Sequence, residues 1–347
     1  MKVGGVPRRA IEAADDGRAV VIVDQTLLPA RFETIRLGTL EAAAVAIRSM
    51  QVRGAPLIGV TAAYGMALGL GADPSDAGLE RAAAMLRATR PTAINLGWAV
   101  SRIADRVRPL PPDERAAAAW TAAGELAEAE VAACEAIGRH GAALVRDRFA
   151  ERGGDRPLNV LTHCNAGWLA TVDWGTALAP VYRLHDEGVP LHVWVSETRP
   201  RNQGLLTAWE LGEHGVPHTL VVDNAAGLLF QRGLVDLCLV GTDRTTRAGD
   251  VCNKIGTAMK ALAAREAGVP FYVAAPSSSI EWGLVDPERI PIEERSSLEV
   301  TAECRVPVFN PGFDVTPARH VSALITERGV CPPSEAGLTA LFPERIG

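Results

Sequence analysis

The sequence predicts an α/β protein, a parallel sheet wrapped by helices, preceded by a smaller and mainly helical domain. Three observations predict it. Beyond residue 153, short Val- and Leu-rich runs at 158–161, 191–195, 219–222, 234–240 and 271–274 each have a helix-like segment beside them. Uniformly apolar short runs are how strands buried on both faces read, and their alternation with helices implies a parallel sheet. The first part of the chain shows mostly helical spacing. Between the two lies one long Ala-rich helical pattern. The division is placed at a helical domain over residues 1–125, which also holds a small sheet, and a parallel-sheet domain over residues 126–347.

In order, residues 19–23 read as a strand ending at Asp24. Residues 40–50 read as a helix with Leu40, Ala43, Ala44 and Ile47 on one face. The tight segment Arg53-Gly54-Ala55-Pro56 leads into an uncharged helix reaching residue 72. A further helix covers residues 80–88 and ends before Arg90-Pro91, because proline disfavours helix in the residue before it. Residues 95–107 form another helix, and Leu110-Pro111-Pro112 a turn. The long helix spans about residues 113–149, with a bend expected at Gly138 or Gly141. After Gly153-Gly154 the strands begin.

Composition narrows the function. The net charge of −6 over 347 residues argues against a general nucleic-acid binder, which would show a basic face. Six cysteines at 134, 164, 238, 252, 304 and 331 form no CxxC pair. They read as thiols in a reducing cytoplasm rather than as a disulfide scaffold. The opening residues MKVGGVPRRAIEAADD lack a signal peptide's apolar stretch, so export is not expected. The uncharged stretch 54–72 approaches membrane-spanning length, yet holds Pro56 and five glycines. It reads as a buried helix, and no membrane association is expected.

Ligands of open α/β sheets bind beyond the carboxyl ends of the strands. The reactive residues gather there. Thr162-His163-Cys164-Asn165 follows one apolar run, and the segment from Ser196 to Gly204 follows the next. Gly241-Thr242-Asp243-Arg244 follows the fourth, and Pro276-Ser277-Ser278-Ser279 the fifth. Cys164, between a strand and an expected helix, reads either as an inert buried thiol or as one activated by a helix N-terminus. Cys134, Cys238 and Cys252 read as structural, the last in a loop. A Cys164/His163 pair is discounted, because neighbours on extended chain point to opposite sides. Asp243 reads either as a cap or ion-pair partner, or as an acid whose pKa burial raises. The run from Asn253 to Thr257 opens a helix whose first amides, with Lys254, suit a phosphate, or else is an ordinary helix start. Arg53 and Arg90 each precede or end a helix, where a lone Arg is usually a surface charge. No GxGxxG stands at a strand–helix turn and no Walker A sequence occurs, so a dinucleotide or ATP site is disfavoured. No zinc-like spacing of His and Cys is present.

Several segments together resemble the methylthioribose-1-phosphate isomerase family. They are DQTLLP at 24–29, RGAPLIG at 53–59, RPTAINLGWAV at 90–100 and THCNAG at 162–167. Further on come ETRPRNQG at 197–204, GTDR at 241–244, GDVCNKIGT at 249–257 and NPGFDVTPA at 310–318. The resemblance implies a Rossmann-like second domain, usually in a homodimer, and an aldose–ketose isomerase of methionine salvage that uses no cofactor and no metal. It implies Cys164 and Asp243 as the catalytic pair, and Arg53, Gly54, Ala55, Arg90, Gln203, Asn253 and Lys254 as binders of a sugar phosphate. The chain departs from the family pattern at Thr242, where Ala is usual, and over Thr245-Thr246-Arg247-Ala248. Isomerases of 5-deoxyribose 1-phosphate or ribose 1,5-bisphosphate need the same chemistry. The similar regulatory subunits of the translation-initiation exchange factor need none.

Overall fold

In the computed structural model, which describes residues 1–151, 156–303 and 306–345, the chain forms two compact units. Gly153-Gly154 and Cys304 lie outside the described residues. The first unit comprises Met1–Ala133 with Trp168–Gly175, and the second Cys134–Gly167 with Thr176–Gly347. The expected division at 125/126 lies in the same helix as the observed one.

The first unit opens with a small ribbon, β1 (Lys2–Val3) and β2 (Val6–Pro7), and a three-stranded antiparallel sheet. Its strands are β3 (Ile11–Ala13), β4 (Val20–Val23) and β5 (Thr34–Leu37), paired in chain order. Four helices follow: α1 (Leu40–Arg48), α2 (Ala55–Ala72), α3 (Asp76–Arg87) and α4 (Ile94–Val107). Helix α3 starts earlier than expected because Ser75 caps it, its Oγ accepting the Gly78 N–H at 3.1 Å. Helix α2 is long and apolar enough to cross a membrane, with mean hydropathy 1.4, but 78% of it is buried. It packs on α1, α3 and α4, and its glycines set the spacing: a Cβ on Gly59 would touch the Asn95 carbonyl at 3.0 Å.

Helix α5 (Pro112–Glu151) runs unbroken across the division between the units. Gly138 and Gly141 serve packing rather than bending. A Cβ on Gly138 would approach Ala179 at 3.2 Å and one on Gly141 would approach Pro180 at 2.4 Å, so the bare backbone admits the next helix.

The second unit continues with β6 (Leu158–Thr162), α6 (Leu178–Asp186), β7 (Leu191–Ser196), α7 (Gln203–His214), β8 (His218–Val221), α8 (Ala225–Gln231) and β9 (Leu237–Val240). Then come β10 (Arg244–Thr246), β11 (Val251–Lys254), α9 (Thr257–Glu266), β12 (Phe271–Ala274) and β13 (Ile280–Glu281). It ends with β14 (Phe313–Thr316), β15 (Ala323–Thr326), β16 (Gly329–Cys331) and α10 (Glu335–Leu341). A seven-stranded sheet has the order β16-β15-β12-β9-β6-β7-β8 and is parallel except for the edge strand β16. The apolar runs become its centre: Leu161, Cys238, Val240, Phe271 and Val273 are all buried in one core cluster. Each such side chain contributes about 1.5–3 kcal/mol by leaving water. A second sheet, β13-β10-β11-β14, was not legible, because its strands are short and interrupted by polar residues.

The strand order reverses between β6 and β9. From β6 the chain moves outward through β7 and β8, then returns to lay β9 on the other side of β6. Such a switch point leaves a crevice at the carboxyl ends of its two strands.

Candidate active site

Cys164 follows β6 and Asp243 follows β9, so the two flank this switch point. The strands are paired, Val160 with Leu237 and Leu161 with Cys238, and Thr162 Oγ1 donates to the Leu239 carbonyl at 2.8 Å. Their loops stay in contact beyond the sheet: a Cβ on Gly241 would stand 2.9 Å from the Ala166 methyl. Both Cys164 and Asp243 are half-buried.

The expected helix at Cys164 is corrected. After β6 the chain makes only a short 3-10 turn at Trp168–Ala170, and α6 begins at Leu178. No helix therefore starts at the thiol itself. The loop is built instead by positive φ angles: Cys164 has φ 65° and Thr198, in the loop after β7, also has φ 65°. Left-handed backbone costs a non-glycine residue about 1–2 kcal/mol, and it is rare for a β-branched residue. The two strained residues are joined, Cys164 N–H donating to Thr198 Oγ1 at 2.9 Å. Thr207 Oγ1, one turn into α7, donates to the Cys164 carbonyl at 2.8 Å. That brings Gln203, the first residue of α7, into the same edge. Gln203 is 5% exposed and its Oε1 accepts no hydrogen bond. A buried orphan acceptor costs about 1–3 kcal/mol, which a ligand hydroxyl would relieve.

Asp243 N–H donates to the Cys252 carbonyl at 3.1 Å, which sets it against β11, the strand carrying Asn253 and Lys254. These two residues were expected to open a helix; they end a strand, and α9 starts at Thr257. Asn253 is 4% exposed and donates to Thr257 Oγ1 at 3.0 Å. Lys254 Nζ lies 4.3 Å from the centre of the Phe313 ring. Nor are the first amides of α9 open to a phosphate. Asp314 accepts from Gly256 N–H at 2.7 Å and from Ala258 N–H at 3.2 Å. Burial pushes the Asp314 carboxyl up to about 6. Cys252 is not in a loop but on β11, packed with Leu284 and Ile290.

His163 lies fully buried beneath this edge. Its Nε2 bonds the Ile255 carbonyl at 2.8 Å, and burial, reinforced by the Lys260 charge, pushes its pKa down to about 3. It is a neutral structural ring rather than a partner for the thiol.

Thr242 and Thr245 tie the Asp243 loop together. Thr242 Oγ1 accepts from Arg244 N–H at 3.1 Å and meets Thr245 Oγ1 at 3.1 Å. Arg244 in turn pairs with Glu281 at 2.9 Å.

Arg53, Gly54, Ala55 and Arg90 belong to the first unit. Gly54, at φ 94°, is the N-cap of α2, Ala55 is its first residue, and Arg53 is 7% exposed. Arg90 is half-buried beyond the end of α3. In the same unit, Asn95 is 1% exposed and neither its Oδ1 nor its Nδ2 is hydrogen-bonded. Helical periodicity marks it only as a helix residue, and its polarity on the buried face of α4 is the available signal. A cleft of about 700 Å³ in this unit, lined by Arg18, Ala67, Gly71 and Trp120 among others, holds none of the candidate residues. Among the described residues no group of three or more His, Cys, Asp or Glu is set to share a metal ion.

The model of the family described as "Initiation factor 2 subunit family" matches residues 51–333. The chain belongs to the initiation factor 2 subunit family. Among its relatives is the methylthioribose-1-phosphate isomerase of Methylobacterium nodulans, 62% identical over 99% of each chain. The crystal structure of 5-methylthioribose 1-phosphate isomerase from Pyrococcus horikoshii superposes with a TM-score of 0.86, at 39% identity over 99% of this chain and 100% of that one. That of translation initiation factor eIF-2B, subunit delta, from A. fulgidus gives 0.82, at 38% identity over 97% and 100%. The structures that this chain resembles thus include proteins named for catalysis and for translation.

Proposed function

We infer that this protein is an aldose–ketose isomerase converting 5-methylthioribose 1-phosphate to 5-methylthioribulose 1-phosphate in methionine salvage. Full-length relatives at 56–62% identity carry that enzyme's name. The observation that carries the reading in this chain is the placement of a thiol and a carboxyl, Cys164 and Asp243, on the two loops of the switch point. A non-catalytic subunit has no need of that pair.

The anomeric oxygen of the substrate carries phosphate, so no free aldehyde exists and the ring must open at the bond from C1 to the ring oxygen. In the proposed mechanism Asp243, protonated, donates to the ring oxygen as that bond breaks. Hydrogen moves from C2 to C1, and the proton of the C2 hydroxyl passes to Cys164, which acts as thiolate and ends as thiol, leaving a carbonyl at C2. Where water is scarce the hydrogen travels as hydride, because an abstracted proton would exchange. Gln203 binds the sugar, and Asn253 and Lys254 its phosphate and hydroxyls; the resemblance assigns Arg53, Gly54, Ala55 and Arg90 to substrate binding as well. The same chemistry would serve 5-deoxyribose 1-phosphate or ribose 1,5-bisphosphate. The sequence resemblance further supports a homodimer in the cytoplasm.

The test is ketose formation from the three sugar phosphates, with the methylthio sugar turned over best. Cys164→Ser and Asp243→Asn are each expected to lower kcat by about two orders of magnitude or more with the fold retained. Near-normal rates in both variants would overturn the assignment. Full loss of a C2 deuterium to solvent would exclude the hydride path.

A further inference from the structure

We propose that Thr198 and Asp223 are positioning residues that hold the Cys164 thiol in its reactive orientation. The proposal rests on the reading of Cys164 as the reacting thiol. Where β6 ends, the Cys164 amide has left the ladder, and it donates to the hydroxyl oxygen of Thr198, a residue with no solvent exposure. Thr198 is itself in left-handed backbone and would not stay there unaided. Asp223, just beyond β8, fixes it. One carboxylate oxygen accepts Thr198 N–H at 2.9 Å and the Ser196 hydroxyl, and the other accepts Arg199 N–H at 2.7 Å. Lys260 Nζ and His163 Nδ1 each lie 3.7 Å from the first oxygen. The side chain of Lys260 is 4% exposed, so its charge is poorly screened and keeps the carboxylate ionised. The Thr198 hydroxyl donates to the Ser196 carbonyl at 3.0 Å, and His163 Nδ1 lies 3.4 Å from it. This orients its lone pair toward the Cys164 amide. Three adjacent strand ends are thereby tied into one support whose last member is the thiol-bearing residue.

The experiment compares Thr198→Val, Thr198→Ser and Asp223→Asn with the wild type in the full chain. It reads kcat, KM for methylthioribose 1-phosphate, and the alkylation rate of Cys164 resolved by peptide mass spectrometry. Thr198→Val and Asp223→Asn are expected to lower kcat by about 10- to 100-fold with KM changed by less than about threefold. They are also expected to change the Cys164 alkylation rate at least threefold, and Thr198→Ser to restore both readouts. Wild-type kcat and alkylation in Thr198→Val overturns the proposal, as does a loss of kcat without a change in alkylation. A Thr198→Ser variant as impaired as Thr198→Val also overturns it, since packing of the methyl group would then be the cause. If Asp223→Asn does not fold, the two Thr198 variants carry the test alone. Normal turnover in Cys164→Ser would instead defeat the catalytic reading and leave the alkylation result standing.

Discussion

Gly54 faces Ala170 so closely that a methyl group has no place between them: a Cβ on Gly54 would lie 2.4 Å from the Ala170 carbonyl oxygen. Its φ of 94° is also foreign to other residues. Gly54→Ala is expected to destabilise the protein by about 2–5 kcal/mol, from overpacking and left-handed strain together. Gly71→Ala, near the end of the same helix with nothing within 4 Å, is expected to be neutral or to stabilise by about 0.5–1 kcal/mol. Urea unfolding of the two variants checks both, and equal effects would contradict the geometry.

His163 ties stability to acid. Its folded pKa lies far below the usual 6.5, because burial and the Lys260 charge disfavour the imidazolium. The unfolded chain therefore binds a proton that the folded chain refuses. This contribution is fully present above about pH 6.5 and is lost as pH falls toward 3. The stability difference between wild type and His163→Gln, followed by urea unfolding, is expected to shrink over that range. A difference independent of pH would mean that the ring takes up its proton as readily in the fold as in the unfolded chain.

Asp314 has the opposite sign. Burial raises its folded pKa to about 6, against 3.8 for the ordinary group. The folded state binds the extra proton, so the benefit is complete below 3.8 and disappears as pH rises through 6. Relative to Asp314→Asn, wild type is expected to lose about 2–3 kcal/mol between about pH 4 and pH 7. A flat difference would place the carboxyl in a solvated setting.

Three of the buried cysteines should be silent. Burial pushes the Cys238 and Cys252 thiols up to about 12 and Cys331 up to about 11. At about pH 8.5 fewer than about one in a hundred of these groups is thiolate. Iodoacetamide is expected to label the half-buried Cys164 first and these three only after unfolding. Native labelling of Cys238 at the Cys164 rate would refute the burial.

The strands of the main sheet were legible because they are short, apolar and buried on both faces, so residues such as Val160, Val193 and Val273 announce them. That pattern also located the loops of Cys164 and Asp243. What local sequence could not give was set by long-range partners. Residues 253–257 read as a helix entry, yet Asn253 and Lys254 end β11, which is held by β10 and β14, and the pairing of Cys252 with Val315 spans a large sequence separation. The Cys164 loop reads as a strand–helix turn until Thr198 is seen to capture its amide. Asp223 and Thr198 lack any motif that marks them as partners. Only the adjacency of β6, β7 and β8 brings them together.

Trp168–Gly175 returns from the Cys164 loop to the first unit before the chain resumes α6 in the second. There Ala10 N–H bonds the Val172 carbonyl at 2.9 Å, and the N-terminal amine pairs with Asp173. Neither half is consequently a single stretch of polypeptide. A truncation made inside α5 would strip Trp168 and Val172, both buried, of their packing. Gene fragments cut at that point are expected to yield insoluble products.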